Sequence, residues 1–296
     1  MIKVYGTVQD KLLEFVEECL YEIAPHNWIL NYNHLNKVTK LEGYFNSKTD
    51  ADVEIRKLCE ITKFNFFSSL SLTDISDEDW KNSYKKHFKP WRINKFNWIP
   101  IWHKETFSVP SDELKIFLDP GMAFGTGNHE TTKLCLESMV SINKNLTAEE
   151  KKDFIDVGSG SGILALTASI LGFNKVCAVD NDDNAIKVSK ENARLNSIKN
   201  IDYISSAIQN LQTSKTYGFV VANIQADILM ENANKLIDLI QPSGYLILSG
   251  ILVSEIDIVH SHFENVFNSL NKRVTSKKKT MNEWSLSQFQ LVNIRV

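Results

Sequence analysis

Phe154-Ile155-Asp156-Val157-Gly158-Ser159-Gly160-Ser161-Gly162 is the stretch on which the reading of this chain turns. A short apolar run ends in an acid and three alternating glycines, then passes into a helix-like segment, Ile163 to Leu171. Glycine permits a tight turn and leaves no Cβ to hold a ligand away from the backbone. A second strand-like run, Lys175-Val176-Cys177-Ala178-Val179, ends at Asp180, 22 residues past Gly158. A carboxylate at that distance can accept hydrogen bonds from a ribose in a doubly wound fold. Together these features point to a nucleoside-containing ligand.

Two ligand classes fit the glycines. Gly160, Gly162 and Ala165 match the G-x-G-x-x-A form of a dinucleotide loop. Gly158, Gly160 and Gly162 match the D-x-G-x-G-x-G loop of S-adenosyl-L-methionine enzymes. The first ligand carries an anionic pyrophosphate, the second a sulfonium and an amino-acid tail. Asp156, expected near the pocket, would repel a pyrophosphate and suit a cation. No Lys or Arg lies between Phe154 and Asn174 to offset it. Charge therefore favours the methyl donor over a dinucleotide or a purely structural turn.

The 296 residues allow two domains or one large one, and 43% hydrophobic content is enough for a sizeable core. No apolar run approaches the roughly 18 residues of a membrane span, and Met1-Ile2-Lys3-Val4-Tyr5 lacks a signal-peptide layout. The expected location is cytoplasmic. Cys19, Cys59, Cys135 and Cys177 stand singly and read as small buried hydrophobes. No metal site is expected, because nothing completes one around His260 and His262. A net charge of −3 weighs against a broad nucleic-acid face and allows an acidic groove for a basic partner. Lys277-Lys278-Lys279 reads as a solvated loop.

Residues 1–72 read as a small α/β unit in the order β-α-β-β-α-β, that of a ferredoxin-like module. The strands are expected over Ile2–Thr7, Trp28–Leu30, Val38–Tyr44 and Phe64–Leu72, and the helices over Gln9–Ile23 and Asp50–Thr62. Residues 73–106 form a connector rich in tryptophan (Trp80, Trp91, Trp98, Trp102), read as packing rather than as a stack for bases. Residues 107–296 alternate strand and helix. Strands are expected over Leu114–Leu118, Asp153–Val157, Lys175–Asp180, Ile201–Ile204, Gly218–Ala222 and Gly244–Leu248, with helices over Asp182–Asn196 and Ala226–Ile240. That order predicts a mostly parallel sheet with ligands at the carboxyl ends of its strands, where Gly158, Asp180 and Asn223 fall. The tail Glu283–Ile294 reads as an edge strand or hairpin.

Two further motifs bracket the glycine loop. Ahead of it stands Asp119-Pro120-Gly121-Met122-Ala123-Phe124-Gly125-Thr126-Gly127-Asn128-His129-Glu130-Thr131-Thr132, with Thr131 or Thr132 placed to cap a helix over Lys133–Met139. Behind it stands Val220-Val221-Ala222-Asn223-Ile224, a strand ending in an amide. In this order, with Leu248-Ser249-Gly250-Ile251-Leu252, Asp79-Trp80 and His87-Phe88-Lys89-Pro90, they resemble the methyltransferases of large-subunit ribosomal protein L-eleven, the PrmA type. The resemblance is close over about 76–252 and reaches the first seventy residues only through expected topology.

It implies a seven-stranded Rossmann-like methyltransferase sheet behind a small N-terminal ferredoxin-like α/β domain that recognises substrate. The implied cofactor is S-adenosyl-L-methionine, held by Thr132, Gly158, Gly160, Asp180 and Asn223. The loop with Phe124 and Thr126 would close over its methionine end, while Asn128 and Glu130 receive no role. The implied acceptors are lysine ε-amines, and an α-amine, of ribosomal protein L-eleven, without direct nucleic-acid binding and without a membrane. No catalytic residue is assigned; His129 is a candidate base. Two other classes stay open. Enzymes of this sheet acting on adenine or a glutamine amide resemble one another in N-P-P-Y after the fourth strand, and Asn223-Ile224-Gln225-Ala226 lacks both prolines. A non-catalytic module docking on ribosomes would have no need of so intact a glycine loop.

Overall fold

Strands and helices alternate in a computed structural model that describes residues 2–8, 16, 28–33, 38–62, 70–74, 89–119, 129–147, 151 and 153–292. The chain divides into two units, Met1–His87 and Phe88–Val296. In the first, β1 (Ile2–Val8), β2 (Trp28–Asn33), β3 (Val38–Phe45) and β4 (Ser71–Asp74) form an antiparallel sheet in the order β2-β3-β1-β4. Helix α1 (Lys48–Thr62) starts earlier than Asp50 because Ser47 caps it: the Ser47 hydroxyl accepts from Asp50 N at 3.1 Å and donates to the Asp50 carboxylate at 2.8 Å. Val4, Leu41, Phe45, Ile55 and Leu58 close the core of this unit. The helix expected over Gln9–Ile23 lies outside the described residues apart from Val16, which is buried in that core.

The second unit begins with a small sheet of β5 (Trp91–Ile93), β6 (Phe96–Pro100) and β7 (Leu114–Leu118). The described part of the expected connector, 89–106, is thus built into this unit. Trp98 stacks on Trp91 and Phe96 with centroids 4.3 and 4.5 Å away, so these rings are packing, while Trp80 lies outside the described residues. β7 has the expected bounds but joins this small sheet rather than the large one.

After α2 (Glu130–Asn143) come β8 (Asp153–Val157), α3 (Ile163–Ile170), β9 (Lys175–Asp180), α4 (Asp183–Leu195), β10 (Ile201–Ser205) and β11 (Tyr217–Asn223). Then follow α5 (Ala226–Glu231), α6 (Ala233–Asp238), β12 (Ile240–Leu252), α7 (Ile256–Ser269), β13 (Val274–Met281) and β14 (Trp284–Leu291). The large sheet has seven strands in the order β10-β9-β8-β11-β12-β14-β13. The first five are parallel, and β14 runs antiparallel to both its neighbours. Alternate strand residues face opposite layers: Phe154, Val176, Phe219 and Ile247 pack in one core, Ile155, Cys177, Val220 and Leu246 in the other. The sheet is buried on both faces, as parallel strands require.

Two further expectations for this unit change. The helix expected over Ala226–Ile240 is two helices, α5 and α6, interrupted at Asn232, whose side-chain amide donates to Ile228 O at 2.8 Å. Lys277, Lys278 and Lys279 lie on β13, an edge strand, not in a loop. Lysines on an edge strand oppose pairing with a further strand. The tail is a hairpin strand, the second of the two alternatives expected: β14 pairs antiparallel with β13 and lies inside the sheet.

Candidate active site

The order of the large sheet reverses between β8 and β11, and the carboxyl ends of strands at such a switch point leave a crevice. Gly158 and Ser159, just past β8, donate to Val179 O at 2.8 and 3.0 Å, which lays the glycine loop against the end of β9. Gly158 has φ 75°, and a Cβ there would strike Ile224 Cγ2. Only glycine therefore keeps the wall of the crevice open at this point. Asp180 fixes the loop from the other side: one carboxylate oxygen accepts from Gly160 N at 2.8 Å, the other from Asp182 N at 3.0 Å. The cap of α4 is Asp182, which accepts from Asn184 N at 2.8 Å, so Asp180 does not serve as the helix cap.

Gly158, Gly160, Asp180 and Asn223 line one cleft of about 440 Å³, together with His129, Gln225, Ile228, Gly250 and Trp284. An adjoining cleft of about 290 Å³ shares Gly158, Asp180 and Ile224 with it and continues to Ser206, Ala207 and Ile208 beyond β10. Thr132 is fully buried behind this wall, and Asn223 Nδ2 donates to its hydroxyl at 3.3 Å. Asn223 Oδ1 has no partner among the described residues. Phe124 and Thr126 lie outside the described residues.

Asn181, Ser206, Ile224 and Gly250 each follow directly on, or lie near the end of, a parallel strand. The rule that placed Gly158 and Asp180 reaches them as well. Trp284 carried no such signal. It is the first residue of β14, and because β14 is antiparallel its start lies beside the end of β12, where Trp284 pairs with Leu252.

Asp156 requires a correction. It is fully buried under the glycine loop and lines neither cleft. Gly162 at the start of α3 has no side chain to cap it, and the Asp156 carboxylate substitutes by accepting from Ala165 N at 3.1 Å. Charge repulsion by Asp156 at the cleft wall therefore does not select the cofactor. The described walls do: neither cleft is lined by a Lys or Arg that would neutralise a pyrophosphate. The open glycine cradle and these uncharged-to-acidic walls fit S-adenosylmethionine.

Burial raises the Asp156 pKa to about 7, opposed by the Ala165 hydrogen bond and assisted by Asp180. A carboxyl raised from 3.8 on folding holds its proton longer in the folded state. Its contribution to stability is complete below pH 3.8 and is lost as pH rises through about 7. Asp156→Asn keeps an acceptor for Ala165 N and cannot ionise. Thermal unfolding at pH 5 and pH 8 is expected to show a smaller fall for the variant than for the parent protein. An equal fall would contradict this account of Asp156.

His129, not Thr131 or Thr132, caps α2, which begins at Glu130. Its Nδ1 accepts from Thr131 N at 3.4 Å and lies 2.8 Å from Thr131 Oγ1. Burial, ahead of nearby charges, lowers its pKa, which favours the neutral ring. A ring with its acceptor nitrogen already engaged is poorly placed as a general base. His260 is buried, with Nδ1 2.6 Å from Ser287 Oγ and Nε2 3.1 Å from Ser276 Oγ; it ties α7 to the hairpin. Among the described residues no acid, Cys and His cluster is arranged for a metal, and no helix is long and apolar enough to cross a membrane.

Fold and cleft together define a methyltransferase with S-adenosylmethionine as methyl donor. The model of one family, Ribosomal protein L11 methyltransferase (PrmA), matches residues 7–290, and the chain belongs to that family. Curated relatives of the same name include one from Caldicellulosiruptor saccharolyticus, 36% identical over 73% of this chain and 67% of the relative. Another, from Dictyoglomus thermophilum, is 33% identical over 86% of this chain and 78% of the relative. The crystal structure of a ribosomal protein methylase of this type from Lactobacillus delbrueckii subsp. bulgaricus is similar at TM-score 0.59 and 28% identity. It matches 70% of this chain and 100% of that one.

Proposed function

We propose that the protein methylates lysine ε-amines, and an α-amine, of the large-subunit ribosomal protein for which its family is named. Family membership supports the acceptor. The observation that carries the chemistry is Asn223, which lines the cleft walled by Gly158 and Asp180 at the end of β11 and whose buried Oδ1 has no partner among the described residues.

When bound, S-adenosylmethionine supplies an electrophilic methyl group on a sulfonium. The residues of the chain do the rest. The glycine loop at Gly158 and Gly160 gives close backbone approach. Asp180 retains lone pairs beyond those engaged by Gly160 N and Asp182 N, and these accept from ribose hydroxyls. Thr132 holds Asn223 from behind at the methionine end. Asn223 Oδ1 accepts an N–H of the incoming amine and turns its lone pair toward the methyl group. Only a neutral amine has that lone pair, and a free lysine with pKa about 10.4 is mostly charged at neutral pH. An enclosed site lowers that value, and alignment supplies most of the acceleration.

Residues 1–72 recognise the substrate, and the second unit, Phe88–Val296, carries out the methyl transfer. The acceptor is protein rather than nucleic acid, and the compartment is the cytoplasm. Incubation with labelled S-adenosylmethionine and a ribosomal extract tests this in one measurement. Label is expected in a single ribosomal protein; label in RNA, or none in protein, would contradict the reading.

A further inference from the structure

We propose that Trp284 is a specificity-determining residue that receives the alkyl chain of the acceptor amine as it enters the site; the inference rests on the amine-acceptor reading above. The 440 Å³ cleft that Asp180 and Asn223 line is also lined, from other elements, by His129, Gly250 and Trp284. It holds a half-buried indole and no Lys or Arg among the described lining residues.

The indole is held from two sides. Its ring meets His129 edge-on, with centroids 4.7 Å apart and planes at 65°. Two residues back, Asn282 Nδ2 donates to Glu130 Oε1 at 3.0 Å. Asn282 has φ 53°, a left-handed conformation that Asn tolerates better than most residues. The turn is further held by Val253 N, which donates to Glu283 O at 2.9 Å. The start of α2 and the β13–β14 turn are therefore joined at two points around one aromatic ring.

The segment after Asn223 explains why a ring is needed from this direction. In the N-P-P-Y pattern of enzymes acting on adenine or a glutamine amide, an aromatic residue stands three places after the strand-end Asn. Here Ile224, Gln225 and Ala226 follow, and none is aromatic. The ring arrives instead from β14, on another element. An indole face favours a cation and packs well on methylenes, which matches a lysine side chain. Burial lowers the pKa of His129 beside it, which disfavours a charged ring that would repel a cation.

The test compares the parent protein with Trp284→Leu, Trp284→Phe and Asn282→Ala, using the purified ribosomal protein as acceptor. Calorimetry with S-adenosylmethionine and thermal unfolding are run alongside. Trp284→Leu is expected to lower kcat/KM for the acceptor by about tenfold or more, mainly through KM, with cofactor affinity within about threefold. Trp284→Phe restores most of the loss, because a ring face remains. Asn282→Ala keeps the ring and loses its brace, and falls between the two. Equal kcat/KM for the Leu and Phe variants would overturn the inference, as would a loss of cofactor affinity in step with activity. If the parent protein methylates no amine of that acceptor, the acceptor reading fails and this inference with it. Activity in the parent with an unaffected Leu variant sinks the inference alone.

Discussion

Asp180→Ala is expected to weaken S-adenosylmethionine binding by about a hundredfold while the protein stays folded. The expectation has two parts. Hydrogen bonds from ribose hydroxyls to a carboxylate contribute about 1.5–3 kcal/mol each, and each 1.4 kcal/mol is about tenfold in affinity. The same carboxylate accepts from Gly160 N and Asp182 N, so its removal also releases the glycine loop. The fold survives because β9 is held on both sides by β8 and β10, and α4 keeps its own cap, Asp182. Calorimetry on the purified variant reads the affinity, and circular dichroism reads the fold. Unchanged affinity in a folded Asp180→Ala protein would leave the carboxylate with a structural role only.

Trp98→Ala is expected to cost about 3–5 kcal/mol of stability, near the upper end for a single substitution. Trp98 is 1% exposed and is stacked upon by Trp91 and Phe96. Its Nε1 donates to Thr167 Oγ1 of α3 at 3.1 Å, and Thr167 in turn donates to Ile163 O at 2.7 Å. The side chain thus joins the small sheet to the helix that follows the glycine loop. Removing it opens a cavity the size of an indole and leaves a buried hydroxyl short of a partner. Urea unfolding measures the change. A loss below about 1 kcal/mol would mean that the small sheet is not part of the core of the second unit.

What was legible in the sequence follows physical lines. β8 and β9 have the bounds their apolar runs predicted, because a strand buried on both faces is a continuous apolar run between punctuating residues. Gly158, Gly160, Asp180 and Asn223 meet in one cleft because each terminates a parallel strand or follows one. Residues whose position depends on a partner element were not legible. Lys277–Lys279 look like a solvated loop until β14 pairs with them. Trp284 reads as one more apolar residue in an alternating tail until its antiparallel direction brings it to the cleft. The motif marks Asp156 without fixing its role. Its side chain points under the loop, toward Ala165 N, and a local pattern does not tell a wall residue from one buried behind it.

The most direct test of the central claim is to find where the methyl group goes. Purified protein, S-adenosylmethionine with a deuterated methyl group and the purified ribosomal protein are incubated together. The products are then digested and read by tandem mass spectrometry. The expected result is deuterated methyl groups on amines of the acceptor, with lysine ε-amines among them, and none when the protein is omitted. Deuterium on no amine of the acceptor, under conditions in which the protein binds S-adenosylmethionine, would contradict the account.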